Sequence, residues 1–528
     1  MRCKWFPIFV LIAAGVWWSG NARYDTLLHV IVVLAAITAI CIWWLACGSG
    51  GRRRRIATVA SISLGIAALL IVFRPVYNGD MGIYRWRLRF AKAADESLPS
   101  GAITTAIADV TTSPTDYPGF LGGGYWAEVK DVELETDWLA HRPQEMWRHE
   151  IGAGWSAFAI VGDYAFTQEQ RGENELVTCY RIATGAPVWI HADKARFDPA
   201  DAVGGLGDIG PRATPTVSSG RVFAQGGTGI VNCLDARTGT VVWSHGTCGE
   251  FGVPVATWGK SGSPLVVGGT VVISVGAPSG APSTAAADVF DSSLVAFDIN
   301  TGTVAWHAGT RRASYASPVL ATLSGERQIV VVNEKWVTSH RATDGVVLWE
   351  HPWANENDDT ATCPQPVPVG NDRLFLSKGY GVGCSLILVK RDEAGKFSAQ
   401  PLWEPAIKKV MKNKFSNSVL RDGFVYGLDD VLLECIELES GNVKWKKRRT
   451  PVFGHGQLML IGDTIVVLSE TGELVLVEAK PSEYRELAHI QALDDANVTW
   501  NSLAFAAPYL LVRNAREAVC YRLPLRSQ

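Results

Sequence analysis

Seven polar side chains stand where successive repeats of this sequence begin, and they are the residues best suited to bind a ligand. Arginine and lysine among them would hold an anion, and the amides would fix its orientation. No carboxylate pair accompanies them, so the pattern indicates neither a metal site nor a general base. The alternative is that these side chains only satisfy one another and water. They are Arg212, Lys260, Tyr315, Gln365, Asn417, His455 and Asn501.

Two other segments concentrate charged residues. Residues 351–363 include Glu356, Asp358 and Asp359, but their spacing matches no calcium-binding loop. Residues 167–175 form a polar stretch between two predicted strands, which we interpret as a solvated hairpin tip, with a contact at the rim as the alternative. Glycine-rich nucleotide loops and nucleophile elbows are missing in any strand-to-helix setting, so nucleophilic hydrolysis has no support.

A motif that ends in tryptophan recurs through the chain, as in LDARTGTVVW and FDINTGTVAW. Its copies are 42 to 63 residues apart, which is close to the length of one propeller blade. Alternating residues before the turn suit a half-buried strand, and Thr-Gly supplies the positive φ of a tight hairpin. We interpret the tryptophans as packing between neighbouring blades. They are Trp147, Trp189, Trp243, Trp306, Trp349, Trp403 and Trp445.

The repeats predict an all-β fold, an eight-bladed β-propeller formed by residues 145–528. The last repeat runs out of chain after three strands, and residues 145–151 are suited to supply its missing outer strand. Pairing of the N- and C-terminal strands would leave no free sheet edge between the first and last blades. Seven blades are the alternative, if the degenerate seventh repeat is an insertion.

Three apolar runs precede the propeller, at about residues 5–18, 27–47 and 56–73. The second and third are long enough to cross a bilayer as helices. The first is short, and is either a marginal span or the core of a signal peptide. The sequence therefore predicts two or three transmembrane helices in a membrane anchor at residues 1–75, followed by a linker and entry segment at residues 76–144.

Charge predicts the orientation of this anchor. Four consecutive arginines, Arg52 to Arg55, separate the second and third runs and favour the cytoplasmic surface. The propeller would then lie in the periplasm, attached to the bacterial inner membrane. Beyond residue 80 the chain carries 41 lysines and arginines against 50 acidic residues, which disfavours nucleic acid as a partner.

The sequence motif of the repeats resembles that of a known family. The form Asp-x-x-Thr-Gly-x-x-x-Trp, with passages such as WGKSGSPLVV and GHGQLMLIGDTIVVLSETGELVLV, is similar to the PQQ-binding-like, or quinoprotein-like, eight-bladed propellers. That family includes PQQ-dependent dehydrogenases and the propeller lipoprotein of the outer-membrane barrel-assembly machinery. The resemblance covers about residues 116–525. One departure is YPGFLGGG at residues 117–124, where such relatives tend to read Trp-Pro-x-Phe-Arg-Gly-Pro.

The resemblance implies two possible functions. Its dehydrogenases have adjacent cysteines over the quinone, a tryptophan beneath it, calcium held by Glu, Asn and Asp, and an Asp base. This sequence has no Cys-Cys dipeptide and no acidic residue where its repeats begin. We therefore expect no cofactor, and a membrane-anchored scaffold that binds protein or glycan, with envelope-protein assembly as a specific role. The alternative is a PQQ- and calcium-dependent alcohol or sugar dehydrogenase.

Overall fold

The computed structural model describes residues 7, 10 and 26–526, apart from residues 50, 78–82, 91–93, 109, 125, 200–208, 278–290, 354–359 and 496. The chain divides into two compact units. One comprises Met1–Ala93 and Ala200–Gly207, and the other comprises Ala94–Pro199 and Asp208–Gln528.

The described part of the first unit includes two long helices, α1 at Thr26–Cys47 and α2 at Arg52–Val72, followed by an antiparallel pair of strands. The guanidinium of Arg55 donates to the carbonyls of Leu45 (2.7 Å) and Ala46 (2.8 Å). The last carbonyls of a helix lack partners within the helix, so this arginine caps the end of α1. The strands are β1 at Phe73–Tyr77 and β2 at Ile83–Leu88.

Helix α2 is the one helix in the described part of the chain that is long and apolar enough to cross a membrane. The described apolar part of α1, Ala35–Cys47, is shorter. The first predicted run, residues 5–18, lies outside the described residues apart from Pro7 and Val10. The number of membrane-spanning helices therefore stays a prediction.

The second unit is the predicted propeller. Among the described residues, eight antiparallel sheets contain four consecutive blade strands each. The degenerate seventh repeat forms a complete blade, so the fold class is confirmed and the seven-blade alternative is wrong.

Blades 1 to 4 are β5 Ala159–Val161, β6 Tyr164–Arg171, β7 Asn174–Arg181, β8 Pro187–Asp193; β9 Thr216–Ser218, β10 Arg221–Gln225, β11 Ile230–Asp235, β12 Val241–Gly246; β13 Leu265–Val267, β14 Thr270–Ser274, β15 Leu294–Asp298, β16 Val304–Ala308; β17 Val319–Leu323, β18 Glu326–Val332, β19 Trp336–Arg341, β20 Val347–Pro352.

Blades 5 to 8 follow the same order of strands. They are β21 Val367–Val369, β22 Arg373–Lys378, β23 Gly383–Arg391, β24 Phe397–Pro401; β25 Val419–Arg421, β26 Phe424–Asp429, β27 Leu432–Glu437, β28 Val443–Lys447; β29 Gln457–Ile461, β30 Thr464–Leu468, β31 Glu473–Glu478, β32 Glu486–Gln491; β33 Ala504–Ala506, β34 Tyr509–Arg513, β35 Glu517–Arg522 and β4 Gln144–Glu150. A short strand, β3 at Glu128–Val129, adds to blade 7 in parallel with β29. The described residues of this unit also form two short helices, a 3-10 helix at Ala94–Ser97 and α3 at Thr247–Glu250.

The ring closes where β4 from the N-terminal side pairs with the C-terminal strand β35. The register places Trp147 opposite Cys520. Across the same pair of strands, Arg148 forms a 2.7 Å ion pair with Glu517. Sharing one blade between the two ends of the propeller leaves no free sheet edge at this point, which is the usual reason for such closure.

The repeated Thr-Gly turn does two jobs. At Gly239, φ is +71° and an added Cβ would lie 2.5 Å from the ring of Trp189 in the preceding blade. Trp189 also donates its indole N–H to the Ala236 carbonyl of that next blade (3.0 Å). The same glycine therefore permits the hairpin and provides the surface on which the preceding tryptophan packs. Trp147 on Gly185 and Trp243 on Gly302 repeat the arrangement.

The other four tryptophans vary this contact. Trp403 donates to Glu439 of the next blade (3.1 Å), and Trp445 donates to Lys480 of the next blade (2.8 Å). Trp349 instead donates to Gln328 within its own blade (2.8 Å). Trp306 packs on the turn at Gly345, but its buried indole N–H has no hydrogen-bond partner among the described residues.

Residues 117–130, which we call the plug segment, run across the base of the ring. Tyr117 exchanges backbone hydrogen bonds with Ile160 of blade 1 (2.9 and 2.7 Å), and Ala127 accepts one from Leu460 of blade 7 (2.8 Å). Between them, Phe120 lines a small cavity together with residues at the start of blades 3 to 5. Because one short segment contacts first strands on opposite sides of the ring, it crosses the hub.

Candidate functional site

The eight first strands begin at one end of the hub, which we call the opening end. In seven of the blades, one residue at an equivalent position lies four residues before the start of the first strand. In blade 7 the first strand starts earlier, and His455 takes the equivalent position. These eight form the opening ring. They are Trp155, Arg212, Ser261, Tyr315, Cys363, Phe415, His455 and Trp500.

One half of the opening ring is aromatic. The rings of Trp155 and Trp500 are 4.7 Å apart, and those of Phe415 and Trp500 are 4.8 Å apart. Phe415 also meets His455 edge-on at 5.6 Å. The indole N–H of Trp500 donates to Glu470 (2.8 Å), which fixes its orientation. This arc offers a surface for stacking a flat molecule.

The other half carries charge and hydroxyl groups. The Arg212 guanidinium lies over the ring of Phe197, 4.5 Å from its centre. Lys260 is only 5% exposed and donates to the Val275 carbonyl (2.6 Å), and burial lowers the pKa of its ammonium group. The Tyr315 hydroxyl accepts a hydrogen bond from the Trp258 amide (3.3 Å), and burial raises the pKa of Tyr315 to about 12.

Below the opening ring, polar side chains bridge neighbouring blades. In blades 1 to 4, the Ala157 amide donates to Thr214 (3.0 Å), the Thr214 amide to Ser263 (3.0 Å), and the Ser263 amide to Ser317 (2.9 Å). Each hydroxyl belongs to the next blade along the chain. Buried amide N–H groups that would otherwise lack a partner are thus satisfied across the boundary between blades.

The remaining boundaries are bridged by other side chains. The Ser314 hydroxyl donates to the Thr362 carbonyl (3.0 Å), and the Gln365 amide donates to Asn417 Oδ1 (2.7 Å). The Gln457 side chain donates to carbonyls of blades 6 and 8 (3.0 and 2.9 Å). The Asn501 side chain donates to carbonyls of blade 1 (3.1 and 2.9 Å). Every boundary between neighbouring blades is therefore bridged at the opening end.

The structure does not bring the seven predicted ligand residues to one level of the hub. Arg212, Tyr315 and His455 belong to the opening ring. The other four occupy different levels: Lys260 precedes the ring residue of blade 3, Asn501 follows that of blade 8, and Gln365 and Asn417 are two residues deeper. Asn417 and Asn501 bridge neighbouring blades through their side chains, whereas Gln365 does so through its backbone amide.

Sequence reasoning missed a buried charge cluster where blades 8 and 1 meet. Glu169 is fully buried and accepts hydrogen bonds from Arg171 (2.9 Å), Tyr180 (2.6 Å) and the Gly152 amide (2.6 Å). Arg513 of blade 8 donates to the Gly152 carbonyl (2.7 Å). Burial opposes ionisation of Glu169, but the charges of Arg171 and Arg513 leave its pKa lowered.

Residues 167–175 do form a hairpin, but the interpretation of them as a solvated tip is therefore wrong. Strand β6 continues to Arg171 and strand β7 begins at Asn174, so the turn between them is confined to Gly172 and Glu173. The polar side chains of this stretch are buried because Arg513 and residues 99–100 cover them. Its five consecutive polar residues, Thr167 to Arg171, instead indicated exposure, because a strand buried on both faces is usually apolar throughout.

A second charge cluster lies in blade 6. Lys446 pairs with Glu434 (3.2 Å) and with Asp429, and Lys412 also pairs with Asp429 (3.2 Å). Burial raises the pKa of Glu434, and the neighbouring Asp429 charge adds to the effect. Both carboxylates are held by lysines, so the cluster is an ion-pair network.

Comparison with known families decides which family this chain belongs to. The family model described as "Outer membrane protein assembly factor BamB" matches residues 138–280 and residues 173–447. The chain belongs to the BamB family. No curated protein matches its sequence.

Solved structures similar to this BamB-family chain include enzymes. A europium-containing methanol dehydrogenase matches with a TM-score of 0.54 and 13% identity over 76% of this chain and 90% of that chain. Quinohemoprotein alcohol dehydrogenase ADHIIG from Pseudomonas putida HK5 matches with a TM-score of 0.55 and 13% identity, over 79% and 81%. BamB from Moraxella catarrhalis has a TM-score of 0.49 and 13% identity, over 72% and 99%. At such identities, likeness to the dehydrogenases concerns the fold alone.

The propeller fold of the BamB family is shared with quinone enzymes, so the opening end must be tested for a calcium-held quinone. Calcium takes six to eight oxygen ligands. Among the described residues, no group of three His, Cys, Asp or Glu side chains could hold a metal ion. Asn501 Oδ1 is buried without a hydrogen-bond partner among those residues, but one oxygen does not make such a site. The aromatic arc suits a flat ring, whereas the described oxygen ligands do not fit calcium.

Three acidic residues of the loop at residues 351–363 were considered for calcium. Glu356, Asp358 and Asp359 lie outside the described residues. The plug segment, whose sequence departs from the motif usual in the family, lies at the end of the hub opposite the opening ring.

Proposed function

We propose that this BamB-family chain is a membrane-anchored scaffold whose propeller binds protein or glycan outside the cytoplasmic membrane of a bacterium. Envelope-protein assembly is the specific role we assign to it. The name of the family model supports this role, because it describes an outer-membrane protein assembly factor. Protein partners fit a propeller well, since its broad faces are built from independent loops on a rigid frame.

The arrangement at the opening end carries this proposal. Polar side chains that would orient a substrate there are used to bridge neighbouring blades, as Asn417 and Asn501 do. Enzymes need groups that remain available to the reacting atoms. Side chains committed to holding the ring together support a binding role for the outer surfaces of the propeller.

Location in the inner membrane with the propeller in the periplasm is part of the proposal. Helix α2 begins with four arginines, Arg52 to Arg55, and is otherwise apolar up to Val72. The excess of arginine at its start favours the cytoplasmic side for that end. The end of α2 that leads toward the propeller would then lie outside.

One experiment separates the scaffold from the quinone dehydrogenase. The full chain, purified in detergent, would be mixed with a urea-denatured outer-membrane barrel protein during dilution, and separately with PQQ and calcium. The scaffold function predicts saturable capture of the unfolded barrel, no capture of the folded barrel, and no dye-linked alcohol oxidation. Saturable PQQ binding with turnover, or equal capture of folded and unfolded barrel, would overturn it.

A further inference from the structure

A groove lies at the plug end of the propeller. It encloses about 410 Å³, within the range of small ligand sites. Trp126, Glu128 and Lys130 of the plug segment form one wall. The opposite wall comes from blades 4 to 6 and includes Thr322, Arg327, Pro368 and Leu420. Both apolar and polar side chains therefore line the groove.

The wall formed by the plug segment is an open sheet edge. Strand β3 is the first strand of the blade 7 sheet, and within the described part of the chain it pairs on one side only, with β29. The Ala127 carbonyl accepts a hydrogen bond from Leu460 of β29 (2.8 Å), and the Val129 carbonyl accepts one from Gly462 just after that strand (3.0 Å). The N–H and C=O of Glu128 point the other way because successive residues of a strand alternate. Among the described residues, neither group has a backbone partner.

The groove also holds an unused positive charge. Arg327 is exposed at its rim, and within the described part of the chain its guanidinium forms no ion pair or hydrogen bond. Lys130 is 3.5 Å from Glu128, so these two charges offset each other. The net charge of the lining is therefore positive, and a carboxylate is the complementary group.

We propose that this groove binds an extended segment of another protein, which adds as a strand to the Glu128 edge of β3 and pairs a carboxylate side chain with Arg327. The backbone supplies affinity and the arginine supplies selectivity, as in other cases of strand addition. The inference rests on the scaffold function and specifies its partner chemistry. Since only one residue of β3, Glu128, presents its N–H and C=O to the groove, the binding is weak and suited to transient capture.

Two peptides test this proposal. A fluorescein-labelled peptide Thr-Val-Thr-Glu-Thr-Val-Thr-Val and its counterpart with Lys in place of Glu would be titrated against the full chain in detergent. Fluorescence anisotropy should show saturable binding of the acidic peptide below about 1 mM and binding of the basic one at least about tenfold weaker. Hydrogen exchange at the Glu128 amide should slow when the acidic peptide binds.

Variants of the groove sharpen the result. Arg327→Glu should reverse the preference between the two peptides, and Thr322→Trp should weaken both by filling the groove. Arg448→Glu is the matched control, because Arg448 is exposed, unpaired among the described residues and outside the groove. No saturable binding below about 1 mM, unchanged preference in Arg327→Glu, or unchanged exchange at Glu128 would overturn the proposal. If Arg327→Glu still captures the unfolded barrel, the scaffold function stands without the groove.

Discussion

The two ends of the hub differ in how their polar groups are used. At the opening end, side chains such as Thr214, Asn417 and Asn501 bridge neighbouring blades and are buried. At the plug end, the Glu128 backbone and the Arg327 guanidinium lack protein partners among the described residues. Polar residues near the axis are therefore not by themselves a sign of function. Groups that remain available to another molecule are the better guide, because a side chain that already holds two blades together cannot bind a ligand without losing that contact.

The largest effect should come from the charge cluster at the opening end. Replacing Glu169 by Ala removes the partner of Arg171 and leaves buried cations near Arg513. We expect the free energy of unfolding to fall by about 3 to 5 kcal/mol. Urea titration followed by tryptophan fluorescence measures it, with exposed Glu173→Ala as the control. Equal stability of the two variants would contradict a structural role for this end.

The same carboxylate should give the opening end a pH dependence. The folded-state pKa of Glu169 is lowered from 4.5, so its charge stabilises the fold above that pH. This contribution is lost as the pH falls through the folded-state pKa. The stability difference between the natural chain and Glu169→Gln should be largest at neutral pH and shrink below about pH 4.5. A stability difference that grows as the pH falls would contradict a lowered pKa for Glu169.

A smaller loss should follow removal of one bridge between blades. Asn417→Ala leaves the buried Gln365 amide without its acceptor, which should cost about 1 to 3 kcal/mol. Thermal unfolding measures the loss, and exposed Asn442→Ala controls for the change of residue type. If Asn417 served only a ligand, its replacement would leave the stability of the free chain unchanged.

The smallest effect on stability should come from the plug end. Arg327→Glu changes an exposed side chain without a described partner, so the free energy of unfolding should change by less than about 0.5 kcal/mol. Binding of the acidic peptide should nevertheless fall by about tenfold or more. A variant that loses stability and binding together would remove the contrast between the two ends.

The fold could be predicted from the sequence because its signal is local. Each Thr-Gly turn and following tryptophan encode a hairpin, and Gly239 beneath Trp189 shows that they also encode contact with the next blade. Blade number follows from counting such units. Closure through β4 and β35 follows from the strand that the last repeat lacks.

The roles of the polar residues could not be predicted because they depend on partners about one blade away in sequence. Nothing near Asn417 indicates that its oxygen accepts from the Gln365 amide. The buried strand that ends at Arg171 was hidden for a similar reason, since Arg513 covers it from the far end of the chain. The plug segment carries no periodic pattern, so its path across the hub needed coordinates.

Hydrogen exchange on the full chain tests the central claim most directly, because it locates binding at one end of the hub or the other. Exchange would be compared for the free chain, the chain with the acidic peptide, and the chain with PQQ and calcium. The account predicts slower exchange at Glu128 with the peptide and no change around Trp155 and Trp500 with PQQ. Protection around Trp155 and Trp500 by PQQ, with none at Glu128 from the peptide, would contradict it.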